Sequence, residues 1–146
     1  MNYKYILFLA SFILGGCELI VIGVKKPKPI EISQYSPLGA ALLFKNELDS
    51  NNIFGAVRLI AAPGGTKYLA AEKFDMYDDI ERIGRIISDK PVTNINADSN
   101  VALNPQVIAF ELNYMKKISF TLYKINDYWY VTGISEQYNS KLKTIN

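Results

Sequence analysis

Chemistry in this chain would have to come from one thiol, 14 carboxylates and ten tyrosine phenols, because its 146 residues include no histidine. Histidine is the commonest general base and metal ligand near neutral pH, so Ser–His and Cys–His nucleophile pairs are excluded. A lone cysteine, Cys17, rules out an intrachain disulfide and a thiolate metal cage. Proton transfer then falls to carboxylates and phenols. Asp79 is the best-placed carboxylate: helical spacing sets it beside an apolar stripe, while Asp78 and Glu81 point away. Tyr77 and Tyr114 are its candidate partners in a base-and-phenol pair. The plainer alternative makes Asp79 a first-turn helix charge and the tyrosines amphipathic packing residues. Other site chemistries lack their residues. Pro63-Gly64-Gly65 has no lysine and serine context for a phosphate loop and reads as a turn. The run DMYDD, residues 75–79, lacks the glycine and closing glutamate of a calcium loop. No metal and no cofactor is expected.

Cys17 has a different chemistry open to it. Lys4 gives a positive start, residues 6–14 (ILFLASFIL) are apolar apart from Ser11, and Gly15 and Gly16 follow. That order is the signature of a secretory signal. The apolar run is also shorter than the ~20 residues an ordinary membrane span needs. Residues 14–17, LGGC, resemble the lipobox of bacterial lipoproteins: an aliphatic residue, two small residues, then cysteine. The resemblance implies cleavage between Gly16 and Cys17 and a thioether-linked diacylglyceryl group on Cys17, with palmitate-type chains holding the mature protein to a membrane. Each buried methylene adds ~0.8 kcal/mol, so more than one chain anchors stably. Two other readings of the segment stand beside it. Cys17 could be a small apolar residue of a buried segment, or residues 6–24 could form one uncleaved spanning helix. Against the helix, Glu18 would cost ~2.5–3.5 kcal/mol near a bilayer centre, and Gly15, Gly16 and Gly23 weaken helical structure.

The elements that must position any site begin after a tether. Residues 17–35 hold the lipidated start and an extended, lysine- and proline-rich linker, with an apolar stretch at 19–24 that could pack on the domain as a strand or rest on the membrane surface. Ser36 and Pro37 open the folded part as helix cap and first helical residue. Leu38, Ala41, Phe44 and Leu48 then recur at helical spacing; residues 49–52 (DSNN) break the helix. Ile53, Val57, Ile60 and Ala61 form a second stripe, and residues 66–74 suggest a further short helix. Asp75 is the expected cap of the next helix, whose stripe is Met76, Ile80, Ile83 and Ile87.

From residue 90 the apolar period becomes two. Strands are expected at 92–97, 106–114, 118–124 and 128–134, with hairpin turns at Met115–Lys116 and Asn126–Asp127. Ile108, Phe110, Leu112, Tyr114, Ile118, Phe120, Leu122, Lys124, Trp129 and Val131 fall on one face. Tyr123, Tyr128, Tyr130 and Tyr138 fall on the other face or an edge, through β propensity or as an interface. Residues 137–146 read as a polar tail.

Helices followed by antiparallel strands give an α+β class with N-terminal helices on a curved sheet. The opening helix SPLGAALLF, the break LDSNNIFGAVRLI and the closing INDYWYVTGI, spanning roughly residues 36–136, resemble the nuclear transport factor 2-like superfamily of cone-shaped domains, and its small lipoprotein and periplasmic members most. The eight-residue stretch DSNVALNP before Gln106 departs from a tight hairpin and leaves the first strand pairing open. Enzymes of that superfamily, such as ketosteroid isomerase and scytalone dehydratase, place Asp, His or Tyr inside the cone. The resemblance also implies a homodimer formed through the sheet.

The expected protein is therefore a lipoprotein of the bacterial cell envelope, facing away from the cytoplasm. The net charge is +2 with no basic stripe, so nucleic-acid binding is not expected. The first functional expectation is a binding or scaffolding module for an envelope protein or an apolar small molecule. Beside it stand an isomerase- or dehydratase-type enzyme using Asp79, and an accessory or immunity-type subunit of an envelope complex. An open cavity with two or more convergent polar groups favours the enzyme; a filled interior favours binding.

Overall fold

The computed structural model describes residues 29–97 and 103–138. Among the described residues, four helices precede a four-stranded antiparallel sheet, so the α+β class holds. The helices are α1 (Pro37–Asp49), α2 (Ile53–Arg58), α3 (Ala70–Asp75) and α4 (Tyr77–Ile87). The strands are β1 (Val92–Ala97), β2 (Gln106–Leu112), β3 (Lys116–Ile125) and β4 (Tyr128–Tyr138), paired in sequence order. The signal segment, Gly16, Cys17, residues 19–24 and most of the 137–146 tail lie outside the described residues.

Helix α1 begins where the cap signal predicts. The Ser36 hydroxyl accepts a hydrogen bond from the Gly39 N–H at 3.0 Å, with Pro37 at the first helical position. Asn52 caps α2 in the same way through the Gly55 N–H. The second stripe departs from helix after Arg58. Leu59–Ala61 instead runs alongside β4: Val131 N–H donates to Leu59 O at 2.9 Å and Ala61 N–H to Val131 O at 3.0 Å. Residues expected to continue a helix thus form an isolated parallel bridge, because β4 offers unpaired backbone groups there. The helix expected over 66–74 shortens to α3, since Thr66 O is taken by Ala62 N–H. Met76, not Asp75, stands between α3 and α4, and its backbone stays near helical angles.

The sheet follows the expected alternation. Ile108, Phe110, Leu112, Ile118, Phe120, Leu122, Trp129 and Val131 are all buried against the helices. Phe44 on α1 meets Phe120 edge-on at 6.0 Å, and Phe120 meets Phe110 at 5.2 Å. These three rings are fully buried and fill the space between helix and sheet. Strand β1, whose pairing the sequence left open, lies antiparallel to β2. Thr93 forms a bulge there, donating to Glu111 O at 3.1 Å and accepting from Tyr114 N–H at 3.2 Å. The β2–β3 turn is Asn113–Met115 rather than Met115–Lys116. Asn113 and Tyr114 both adopt left-handed angles, with φ of 53° and 60°. Tyr114 consequently leaves the inward face and is 76% exposed. Asn126, at φ 52°, makes the two-residue β3–β4 turn where expected.

One charged side chain enters the core layer. Lys45 is 4% exposed overall, and its ammonium reaches both Asp49 carboxylate oxygens at 2.6 Å. Asp49 also accepts from the Asp89 N–H at 3.1 Å, and Ser88 Oγ donates to Leu48 O at 2.9 Å. The end of α1 is thereby fastened to the end of α4.

Truncation at the centre of the aromatic cluster tests this account. Phe120→Ala removes a ring that touches both other phenylalanines and should destabilise the fold by ~3–5 kcal/mol. A urea titration should show the midpoint falling with little change in slope; a loss under about 1 kcal/mol would mean that the three rings do not carry the core.

Candidate functional site

A groove of about 350 Å³ lies between α4 and the outer edge of β4. Its wall on the helix side is Met76, Ile80, Ile83 and Ile86, a stripe at helical spacing. The opposite wall is Val131–Ile134 of β4, with Ile60 and Ala61 at the base and Tyr68 at one end. The groove exists because α4 packs chiefly on α1 and α2. Its apolar stripe is then wider than those contacts cover.

A bulge shapes the strand side. Thr121 pairs with Gly133 and Leu122 with Val131, so Thr132 is the extra residue on β4. Such a bulge bends the strand and re-aims the side chains around it. Thr132 Oγ1 donates to Thr121 O at 3.3 Å. Below the bulge the edge is covered: Trp129 N–H donates to Gln34 O at 2.8 Å, and Gln34 Nε2 donates back to Trp129 O at 3.0 Å. Leu59–Ala61 covers Val131. Above the bulge, Ile134 borders the groove.

The sequence candidates fall in different places. Asp79 lines the rim of the groove, but its side chain is 66% exposed, and its carboxylate accepts from Arg82 at 2.5 Å. Tyr77 stacks against Phe54 at 6.4 Å and Phe74 at 5.9 Å, away from Asp79's hydrogen-bond partner. Tyr114 stands on the β2–β3 turn beside Thr93 and contributes nothing to the groove. The three residues that could share proton chemistry are therefore not brought together. What sequence reasoning missed is the groove itself. Its helix wall was legible as a stripe, but Ile86, Tyr68 and Ile134 carried no signal beyond being apolar.

The pKa of Tyr35 is raised, chiefly by its hydrogen bond with Tyr128 and then by that neighbour's charge, in a tilted ring pair 5.3 Å apart. The pKa of Lys73 is lowered, chiefly by burial and then by the charges of Arg58 and Lys67. Neither shift belongs to the groove, whose rim charges neutralise each other. Among the described residues there is no cluster of three or more metal-ligating side chains, and no helix long and apolar enough to cross a membrane. Chemically, the arrangement can shelter an apolar group and offer a hydroxyl and an ion pair at its mouth. It does not aim a base at a bound atom.

No known family model, curated protein or solved structure matches this chain.

Neighbouring substitutions on α4 separate rim from wall. Asp79→Ala should change unfolding free energy by less than about 0.5 kcal/mol, as expected for an exposed pair. Ile80→Asp, one residue along and 3% exposed, should lose ~3 kcal/mol or more. Equal losses in urea titrations would place Asp79 in a structural role that its exposure denies.

Proposed function

We propose that this chain is a membrane-anchored lipoprotein of the bacterial cell envelope whose α+β domain is a binding module, and that the groove between α4 and β4 receives an apolar group of its ligand or partner. The anchoring part rests on the residues around Cys17: a positive start, a short apolar run, Gly15, Gly16 and one thiol without a cysteine partner. In this reading residues 1–16 are removed and Cys17 becomes the acylated first residue. The assignment of the domain to the nuclear transport factor 2-like kind rests on helices that precede a bulged antiparallel meander and cover its apolar face.

A single observation favours binding over catalysis. The groove is walled by Met76, Ile80, Ile83 and Ile86, while its only charged pair, Asp79 and Arg82, is exposed and mutually satisfied. Pockets that bind without reacting are mostly apolar with a few orienting polar groups. A general base must reach toward a substrate proton, and the Asp79 carboxylate is turned to Arg82 instead.

Two measurements test the two halves separately. Cells fed labelled palmitate should label the wild-type protein and not Cys17→Ala; equal label in both removes the anchor. For the groove, the apolar dye 1-anilinonaphthalene-8-sulfonate should brighten on the wild-type protein. Ile83→Trp, which fills the groove, should cut that signal several-fold, and Asp79→Asn should leave it unchanged. Undiminished dye binding in Ile83→Trp, with the fold intact by circular dichroism, overturns the groove as the binding site.

A further inference from the structure

A second surface lies beside the groove and has a different composition. Phe54 on α2, Leu69 ahead of α3 and Phe74 on α3 are 59%, 70% and 75% exposed. Large apolar side chains exposed together in this way are uncommon on a protein that meets only water. Two of the three are joined through one ring. Phe54 and Phe74 both stack on Tyr77, Arg58 lies over the Phe54 ring at 5.8 Å, and Lys73 Nζ donates to Arg58 O at 3.4 Å.

Cations frame these rings. Among the described residues, no carboxylate lies within ion-pair distance of Arg58, Lys67 or Lys73. The Glu72 carboxylate is turned back to the Leu69 N–H at 2.7 Å. Asp75 and Asp78 follow at the α3–α4 junction, and neither is among the charges acting on Lys73. Those charges are Arg58 and Lys67, and both lower its pKa, after the larger effect of burial. Lys67 in turn lies over the Tyr130 ring at 5.0 Å. Arg58, Lys67 and Lys73 thus have no ion-pair partner among the described residues, and an external anion would relieve their mutual repulsion.

We propose that Phe54, Leu69 and Phe74, framed by Arg58, Lys67 and Lys73, rest on an anionic lipid bilayer, with the apolar side chains among the acyl chains and the cations at the headgroup phosphates. Both halves of the patch are needed for such docking. Exposed Phe and Leu side chains supply apolar area to the interface, and Lys and Arg stems lie along apolar surface while their charges reach phosphate. A protein partner would also accept apolar side chains. The uncompensated cations favour a surface of many phosphates over a single complementary patch. This docking goes beyond the proposed function: it needs neither acylation of Cys17 nor an occupied groove.

The test reads the position of the patch itself. In the full chain, Phe74→Trp places a reporter in the patch, and Tyr114→Trp places one on the exposed β2–β3 turn. Trp129 is the chain's one native tryptophan and is buried, so its signal serves as background. Each variant is mixed with vesicles of brominated phosphatidylcholine, with and without phosphatidylglycerol. Bromine should quench the reporter of Phe74→Trp strongly, and more when phosphatidylglycerol is present, while the reporter of Tyr114→Trp stays bright. Adding Lys67→Gln and Lys73→Gln should weaken the docking about fivefold per cation removed. Equal quenching at both positions would mean that the N-terminal segment alone holds the chain to lipid, and the proposal fails. Absence of quenching in Phe74→Trp, or quenching indifferent to phosphatidylglycerol, overturns it as well, including the case in which the face meets a protein.

Discussion

Phe44 against Phe120 and Phe110 is the contact on which the rest of this structure depends. The four strands carry one large apolar face, and α1 is the helix that brings an aromatic ring to its centre. Because side chains alternate along a strand, this contact fixes register as well as stability. A slip of β3 by one residue would turn Ile118, Phe120 and Leu122 outward together. The turns agree with the packing. Asn113 and Asn126 accept left-handed angles that most residues resist, so each hairpin closes where the apolar face needs it. The three rings fill the centre between α1 and the sheet, and the groove lies to one side of them, between α4 and β4.

The edge of β4 shows how that comes about. An unpaired strand edge invites association, and most proteins cover it. Here Gln34 closes the backbone of Trp129, and Leu59–Ala61 closes that of Val131. Among the described residues, the cover stops at the Thr132 bulge. Beyond it, α4 stands away from the strand because its own anchor is elsewhere, through Ser88 to the end of α1 and through Asp49 to Asp89. The groove is the gap between a helix fastened to other helices and a strand that bends at its bulge. Its apolar lining follows from α4 carrying a stripe wider than α1 and α2 can bury.

Much of this was legible in the sequence. The cap at Ser36, the stripe on α1, the alternation of β2 to β4 and the Asn126 turn all depend on neighbours a few residues away, which a sequence displays directly. Failures came where a distant partner decided. Ile60 and Ala61 continue a helical stripe in the sequence, yet β4 draws their segment into an extended bridge. Tyr114 continues an alternating pattern, yet two successive left-handed residues turn it out to solvent. Asp79 flanks the correct stripe, but Arg82, three residues on, holds it at the surface. The groove itself could not be foreseen. Its walls are apolar residues of the ordinary kind, and only the spacing between α4 and β4 makes them a site.

The groove and the aromatic, basic surface are not independent in space. Tyr68 lines one end of the groove, while its neighbours Lys67 and Leu69 belong to the exposed patch. The Asp79–Arg82 pair lines the same groove, so its apolar wall ends at an exposed polar rim. A filled centre and an edge groove are two consequences of the same packing: among the described residues, the helical layer covers the centre of the sheet fully and its margin incompletely.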